Sequence, residues 1–105
     1  MELTPQVDGV CQKLFEEVKT FGDVSIEEKK TSFHIKHRAG FAGIHPRKDY
    51  LYLEIVSEKP IKSPRVLKSE QVSKIRFHNQ IKIERLEDLD GELLTWLKEA
   101  HALMS

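Results

Sequence analysis

The sequence predicts an α+β domain, in which an antiparallel sheet of about five strands runs as a meander and an N-terminal and a C-terminal helix pack on one of its faces. Three observations carry this prediction. Apolar residues recur at helical spacing near both ends, they alternate with period two from Val24 to Val56, and the links between the alternating runs are too short to join parallel strands. At 105 residues the chain is expected to form a single domain, 1–105.

The first helix is expected over about 5–21. Thr4 can accept a hydrogen bond from an early amide, and Pro5 at the first helical position loses none that it needs. Val7, Val10, Cys11, Leu14, Phe15 and Val18 then fall on one stripe, and Gly22 is the natural stop. Cys11 lies on that stripe with no local basic partner to favour a thiolate, so it reads as core filling and not as a nucleophile.

Four strands are expected next, at about 24–30, 32–38, 41–45 and 50–56. Their apolar faces are Val24 and Ile26, Phe33 and Ile35, Ala42 and Ile44, and Leu51, Leu53 and Ile55. Ala39-Gly40 reads as a tight turn and Arg47-Lys48-Asp49 as the next connection. From 57 to 70 the periodicity fails, and Pro60 and Pro64 cannot donate to a ladder, so a long loop is expected there. A last strand region, 73–86, should bend near His78-Asn79, with Ile75, Phe77, Ile81 and Ile83 as its apolar face. The closing helix is expected over 89–104, capped by Asp88, with Leu89, Leu93, Trp96, Leu97, Ala100 and Met104 as its stripe.

Composition bounds the function. No apolar run approaches the ~18 residues of a membrane span, and the N-terminus lacks the blocks of a secretory signal, so no membrane partner and a cytoplasmic location are expected. One cysteine excludes an internal disulfide and a cysteine zinc cage. Seventeen basic and seventeen acidic residues cancel, but they are segregated. Residues 1–28 hold seven acids and two bases, residues 83–105 six acids and two bases, and residues 29–82 four acids and thirteen bases. Such a layout serves either acidic ends that neutralise a basic sheet within the fold, or a basic surface offered to an anion.

A two-residue turn at Ala39-Gly40 would set Phe33 opposite Pro46, Ile35 opposite Ile44 and His34 opposite His45. One face of that hairpin is then apolar, and the other carries His34, Lys36, Arg38, Phe41, Gly43 and His45. With Lys30, Arg47, Lys48 and Arg65, this set is the candidate anion-binding surface: Lys30, Lys36, Arg38, Arg47, Lys48 and Arg65 as its cations, and His34, His45 and Phe41 as additional members. Lys62 and Lys68 on the long loop are further cations. Aromatic rings between cations would add stacking for nucleic acid, and Phe41, Tyr50, Tyr52 and Phe77 are the rings in the basic segment. Two histidines in a hairpin lack the third ligand a metal needs, so no metal and no cofactor are expected. Glu54 and Glu84 lie on polar sides of their strands, and no nucleophile elbow, Gly-rich phosphate loop or paired carboxylates occur, so no catalytic residue is assigned.

The run Phe41-Ala42-Gly43-Ile44-His45-Pro46-Arg47-Lys48-Asp49 with Leu51 and Leu53, and the ending Glu87-Asp88-Leu89-Asp90-Gly91-Glu92-Leu93 with Trp96-Leu97-Lys98-Glu99-Ala100, resemble the small prokaryotic family known as domain of unknown function 5655. Lys30-Thr31 and Ser63-Pro64-Arg65 share the resemblance, which runs from the first helix to Ala100. It departs at His101, where the family tends to carry an aromatic, usually Tyr. The resemblance implies a compact α+β domain that occurs alone and beside other domains, suited to a binding or regulatory role. The resulting expectation is a module that binds nucleic acid or a phosphorylated ligand. A protein-interaction or homodimerisation module working through a sheet edge is the first alternative, and a small-molecule enzyme the second.

Overall fold

The computed structural model describes residues 2–104, and it is an α+β fold: an antiparallel sheet flanked by the two terminal helices. Helix α1 spans Pro5–Lys19. The Thr4 hydroxyl accepts from the Val7 amide, and Gly22, at φ 123°, turns the chain away in a conformation that costs glycine little. Strands β1 (Ser25–Glu28), β2 (Phe33–Lys36), β3 (Gly40–Pro46) and β4 (Leu51–Ser57) follow as a meander of antiparallel neighbours.

Beyond β4 the chain departs from the expected plan. The expected loop over 57–70 and bent strand over 73–86 are instead a shorter connection and a hairpin of two strands, β5 (Val66–Ser73) and β6 (Arg76–Ile83), turning at Lys74 and Ile75 and not at His78-Asn79. The sheet therefore has six strands in the order β1-β2-β3-β4-β6-β5, so it is not a simple meander. Residues 58–65 run back along the sheet to let β6 pair with β4 and leave β5 at the edge. A short 3-10 helix, Leu86–Asp88, then leads to α2, Gly91–Leu103. Asp90 and not Asp88 caps α2, accepting from the Leu93 amide at 3.0 Å, while the Asp88 carboxylate takes the Glu84 and Arg85 amides.

Both helices cover one face. Val7, Val10, Cys11, Leu14 and Val18 of α1 and Leu93, Leu97 and Ala100 of α2 form one buried cluster with Phe33, Ile35, Ile44, Leu51, Leu53, Ile55, Ile81 and Ile83 of the sheet. Burial, with a smaller contribution from Asp8, pushes the Cys11 thiol up to about 11, which keeps it protonated and inert. The Thr4 hydroxyl donates to the Lys48 carbonyl and the Gln6 amide to the Glu84 carbonyl, each at 2.8 Å, fastening the start of α1 to the end of the sheet where β4 begins.

The β2–β3 hairpin corrects the expected register by two residues. Phe33 stands opposite Ile44, Ile35 opposite Ala42 and His34 opposite Gly43, with a bulge after Ile35 that sets Lys36 opposite Gly40. Phe41 is the extra residue of that bulge, and it turns onto the covered face, where it is fully buried. There it meets His101 edge-on, ring centroids 5.4 Å apart, while Phe21 approaches the same imidazole at 5.9 Å and His37 stacks on it at 4.1 Å. His101 thus occupies an aromatic slot at the end of α2.

The connection 58–65 is held from beneath by Asn79, which is fully buried on the covered face. Its Nδ2 donates to the Ile55 carbonyl at 2.9 Å and the Ser57 hydroxyl at 2.8 Å. Its Oδ1 accepts from the Ile61 amide at 3.0 Å and the Ser69 hydroxyl at 2.7 Å. All four hydrogen-bonding positions of this buried amide are used, as the cost of burying an unpaired polar group requires.

Candidate functional site

Side chains that alternate with the core set project from the opposite face, which neither helix covers. Across its middle run His34, Gly43, Glu54, Gln80 and Lys68, one from each of β2, β3, β4, β6 and β5. One step along the strands lie His45, Tyr52 and Lys82, and one step the other way Val56, His78 and Glu70. Gly43 leaves a shallow hollow of about 160 Å³ among His34, His45, Glu54 and His78. A methyl group added there would sit 3.5 Å from the His45 Nε2, in ordinary contact, so glycine opens space without being sterically required. His78 Nδ1 lies 2.9 Å from Glu54 Oε1, which gives that carboxylate a partner whenever the imidazole is protonated. Among the described residues no group of three or more His, Cys, Asp or Glu is placed to hold a metal ion. The observed register puts Gly43, and not His45, across from His34.

The corner where β3 turns into β4 has a different character. Tyr50 and Tyr52 meet edge-on with ring centroids 5.2 Å apart. The Arg47 guanidinium lies over the Tyr52 ring at 5.4 Å and the Lys82 ammonium over the Tyr50 ring at 4.4 Å, both within the range of cation–π attraction. The neighbouring Tyr52 hydroxyl raises the Tyr50 phenol above its ordinary value, so at neutral pH it carries no charge that would repel an anion. Among the described residues neither Arg47 nor Lys82 has a carboxylate partner; apart from its ring contact, Arg47 donates to the Pro46 carbonyl at 3.1 Å.

The six cations picked out from the sequence do not converge on one spot. Lys30, Arg47 and Lys48 lie in the β1–β2 and β3–β4 turns, which the antiparallel register brings to the same end of the sheet. Arg38 lies in the β2–β3 turn at the opposite end. Lys36 projects from the uncovered face but donates to Glu27 Oε2 at 2.8 Å, and Lys29 pairs with the same carboxylate. Hydrogen bonds from Lys29 and Lys36 hold the Glu27 carboxyl at about 2, well below the usual carboxylate range.

Arg65 is engaged on the other side of the molecule. Its Nη1 donates to Asp90 at 2.9 and 3.1 Å and to Glu92 at 3.2 Å, its Nη2 to the Asp88 carbonyl at 2.7 Å, and its guanidinium lies 5.8 Å from the Trp96 ring centroid. It clamps the 58–65 connection to the start of α2. Phe41, expected among the exposed set, is buried under His101 and offers no ring to a ligand. Lys82, absent from the expected set, joins the site because the β4–β6 register sets it opposite Tyr52.

A larger concavity lies on the covered side, a groove of about 640 Å³ between the 58–65 connection and α2, lined by Pro60, Ile61, Trp96 and Leu103 among others. Its rim carries Lys59 and Lys62 against Glu58 and Glu99, which gives no preference for ligand charge. No helix among the described residues is long and apolar enough to cross a membrane.

A family model described as Domain of unknown function (DUF5655) matches residues 5–104, nearly the whole chain. No curated protein and no solved structure matches it. The chain belongs to this family, and the resemblance seen in the sequence, from the first helix to Ala100, lies within the matched span.

Proposed function

We propose that the uncovered face of the sheet binds an anionic ligand bearing planar rings, and that single-stranded nucleic acid is the class that fits it best. The observation that supports this reading is the corner of Tyr50, Tyr52, Arg47 and Lys82, where two rings and two cations without acidic partners share one exposed surface. A base stacked on either tyrosine takes the ring face its cation now covers, and the displaced cation turns to the adjoining phosphate. Base stacking of this kind is worth about 1–3 kcal/mol per base and tolerates any sequence, because every base has a π-face. Lys30 and Lys48 at the same end of the sheet extend the positive rim. His45, next to Tyr52, and His34 beyond it lead the strand across the hollow over Gly43, where no side chain stands in the way. Arg38 at the far end is a second phosphate contact for a ligand long enough to cross the face, and Lys36 becomes one when it exchanges Glu27 for phosphate. Arg65 stays in its clamp. A phosphorylated small ligand would use the same corner without the far end.

The test is titration of labelled single-stranded and duplex oligonucleotides at low and moderate salt. Single strands are expected to bind in preference to duplex, with affinity falling as salt rises in proportion to the phosphates engaged. Absence of binding at low salt, or binding indifferent to Tyr52→Ala with Lys82→Gln, overturns the reading.

A further inference from the structure

We infer that β5 is a homodimer interface, through which two copies of this chain join their sheets edge to edge across a twofold axis at Ser69. The two edges of the sheet differ sharply. At one end β1 is four residues long and carries Glu27 and Glu28, which makes it a poor template for another strand. At the other, β5 is eight residues long and almost wholly exposed. Four large apolar side chains stand exposed among the described residues, and three of them are on this hairpin: Leu67 at 57%, Val72 at 47% and Ile75 at 62%.

Leu67 and Val72 are the extra residues of two bulges in the pairing with β6, between Val66 and Lys68 and between Gln71 and Ser73. The bulges leave one regular run, Lys68 to Gln71. Lys68 pairs with Gln80 and Glu70 with His78, both on the uncovered face, while Ser69 lies on the covered face, where its hydroxyl reaches Asn79.

Two copies that meet as antiparallel strands are related by a twofold axis perpendicular to the sheet, and residues directly opposite then share a face. The axis must therefore pass through a residue and not between two. On Lys68 it would set lysine against lysine, on Glu70 glutamate against glutamate, and on Gln71 Lys68 against Lys74. On Ser69 it sets Lys68 of each copy against Glu70 of the other, and brings Val72 of one beside Val66 and Leu67 of its mate. A bulged, charged edge repels strands that do not match it. A second copy of this chain is a strand that does match, because the charges and apolar flanks of β5 are complementary to themselves. Within one chain Lys68 and Glu70 form only a loose, solvent-exposed pair at 3.5 Å, so each is available to a partner.

Sedimentation analysis over a range of concentrations, without oligonucleotide, tests this independently of the binding proposal. The unmodified chain is expected to dimerise. Lys68→Glu and Glu70→Lys, at exposed positions that leave the core untouched, are each expected to weaken the dimer by roughly 10-fold or more, since each places like charges opposite twice across the axis. An equimolar mixture of the two variants restores opposite charges at both contacts and is expected to form the mixed dimer. The lost intrachain Lys68–Glu70 pair is not regained in that mixture, so recovery reports the contact between copies. Val72→Lys gives a separate break at the apolar flank. A monomer at every concentration overturns the inference, as does a dimer that survives both single charge reversals, or a failure of the mixture to re-form one.

Discussion

Around Arg65 the guanidinium is engaged by two carboxylates and a backbone carbonyl from the segment that starts α2, so its charge is spent on holding a connection against a helix. Around Arg47 the neighbours are Tyr52, its own backbone and solvent. Both arginines come from the same basic stretch of sequence, and the difference between them lies in which face their segment serves. The acidic C-terminal region answers the basic centre on the covered side. On the uncovered side Glu27, Glu54 and Glu70 each have a basic or imidazole partner, and the cations of the tyrosine corner have none among the described residues. A charge count along the chain measures supply, and topology decides which cations remain free to meet a ligand.

Five substitutions would break or sharpen this contrast. The largest effect is expected from Asn79→Ala, which strands several buried partners beneath the clamped connection and should cost about 3 kcal/mol. Chemical denaturation reads that loss, and oligonucleotide affinity of the folded fraction should hardly move. Tyr52→Ala should do the reverse, weakening single-strand binding by about 1–3 kcal/mol, or roughly 5- to 150-fold, with little change in the unfolding midpoint. Tyr52→Phe should retain most of the affinity, because the ring and not the hydroxyl does the stacking.

Arg65→Met should lower stability by about 1 kcal/mol and leave the salt dependence of binding unchanged, since its pairs are half-exposed and screened. This effect has a direction in pH. The Leu93 amide and the Arg65 guanidinium hold the Asp90 carboxyl below its ordinary value. The stability it contributes is therefore present above the unfolded value, about 3.9, and is lost as pH falls through the lower folded one. The gap between the unfolding curves of the unmodified chain and Arg65→Met should accordingly narrow in strong acid, where the carboxylate pairs are lost and the contact with the Asp88 carbonyl remains. The smallest effect is expected from Lys82→Gln, a decrease of about 1 in the slope of log affinity against log salt if the ammonium engages one phosphate.

Much of the fold was legible because it is written in periodicity. The stripes of both helices and the alternation through β2, β3 and β4 are consequences of burying one face, and they survive in any reading of the chain. What escaped notice has physical causes. The β2–β3 register turned on a single bulge residue, and Phe41, placed by strict alternation among exposed side chains, was rotated into the core by it. Strand β5 is an edge strand exposed on both faces, so Lys68 to Ser73 carry no apolar alternation to announce it. The Tyr50–Tyr52–Arg47 part of the candidate site was visible as rings among cations. Lys82, His78 and Glu54 were not, because their adjacency depends on the register between β4 and β6, strands separated by a long connection and by β5, and local pattern does not record it.

Cys11, fully buried on the core-facing stripe of α1, gives the molecule a built-in clock. A reagent that reacts only with an ionised, reachable sulfur must wait for α1 to lift from the sheet, so the rate of alkylation reports how often that lid opens. Because this is the chain's single thiol, the readout needs no engineered probe, and it can be taken with an oligonucleotide present to learn whether occupancy of one side of the sheet quiets the other.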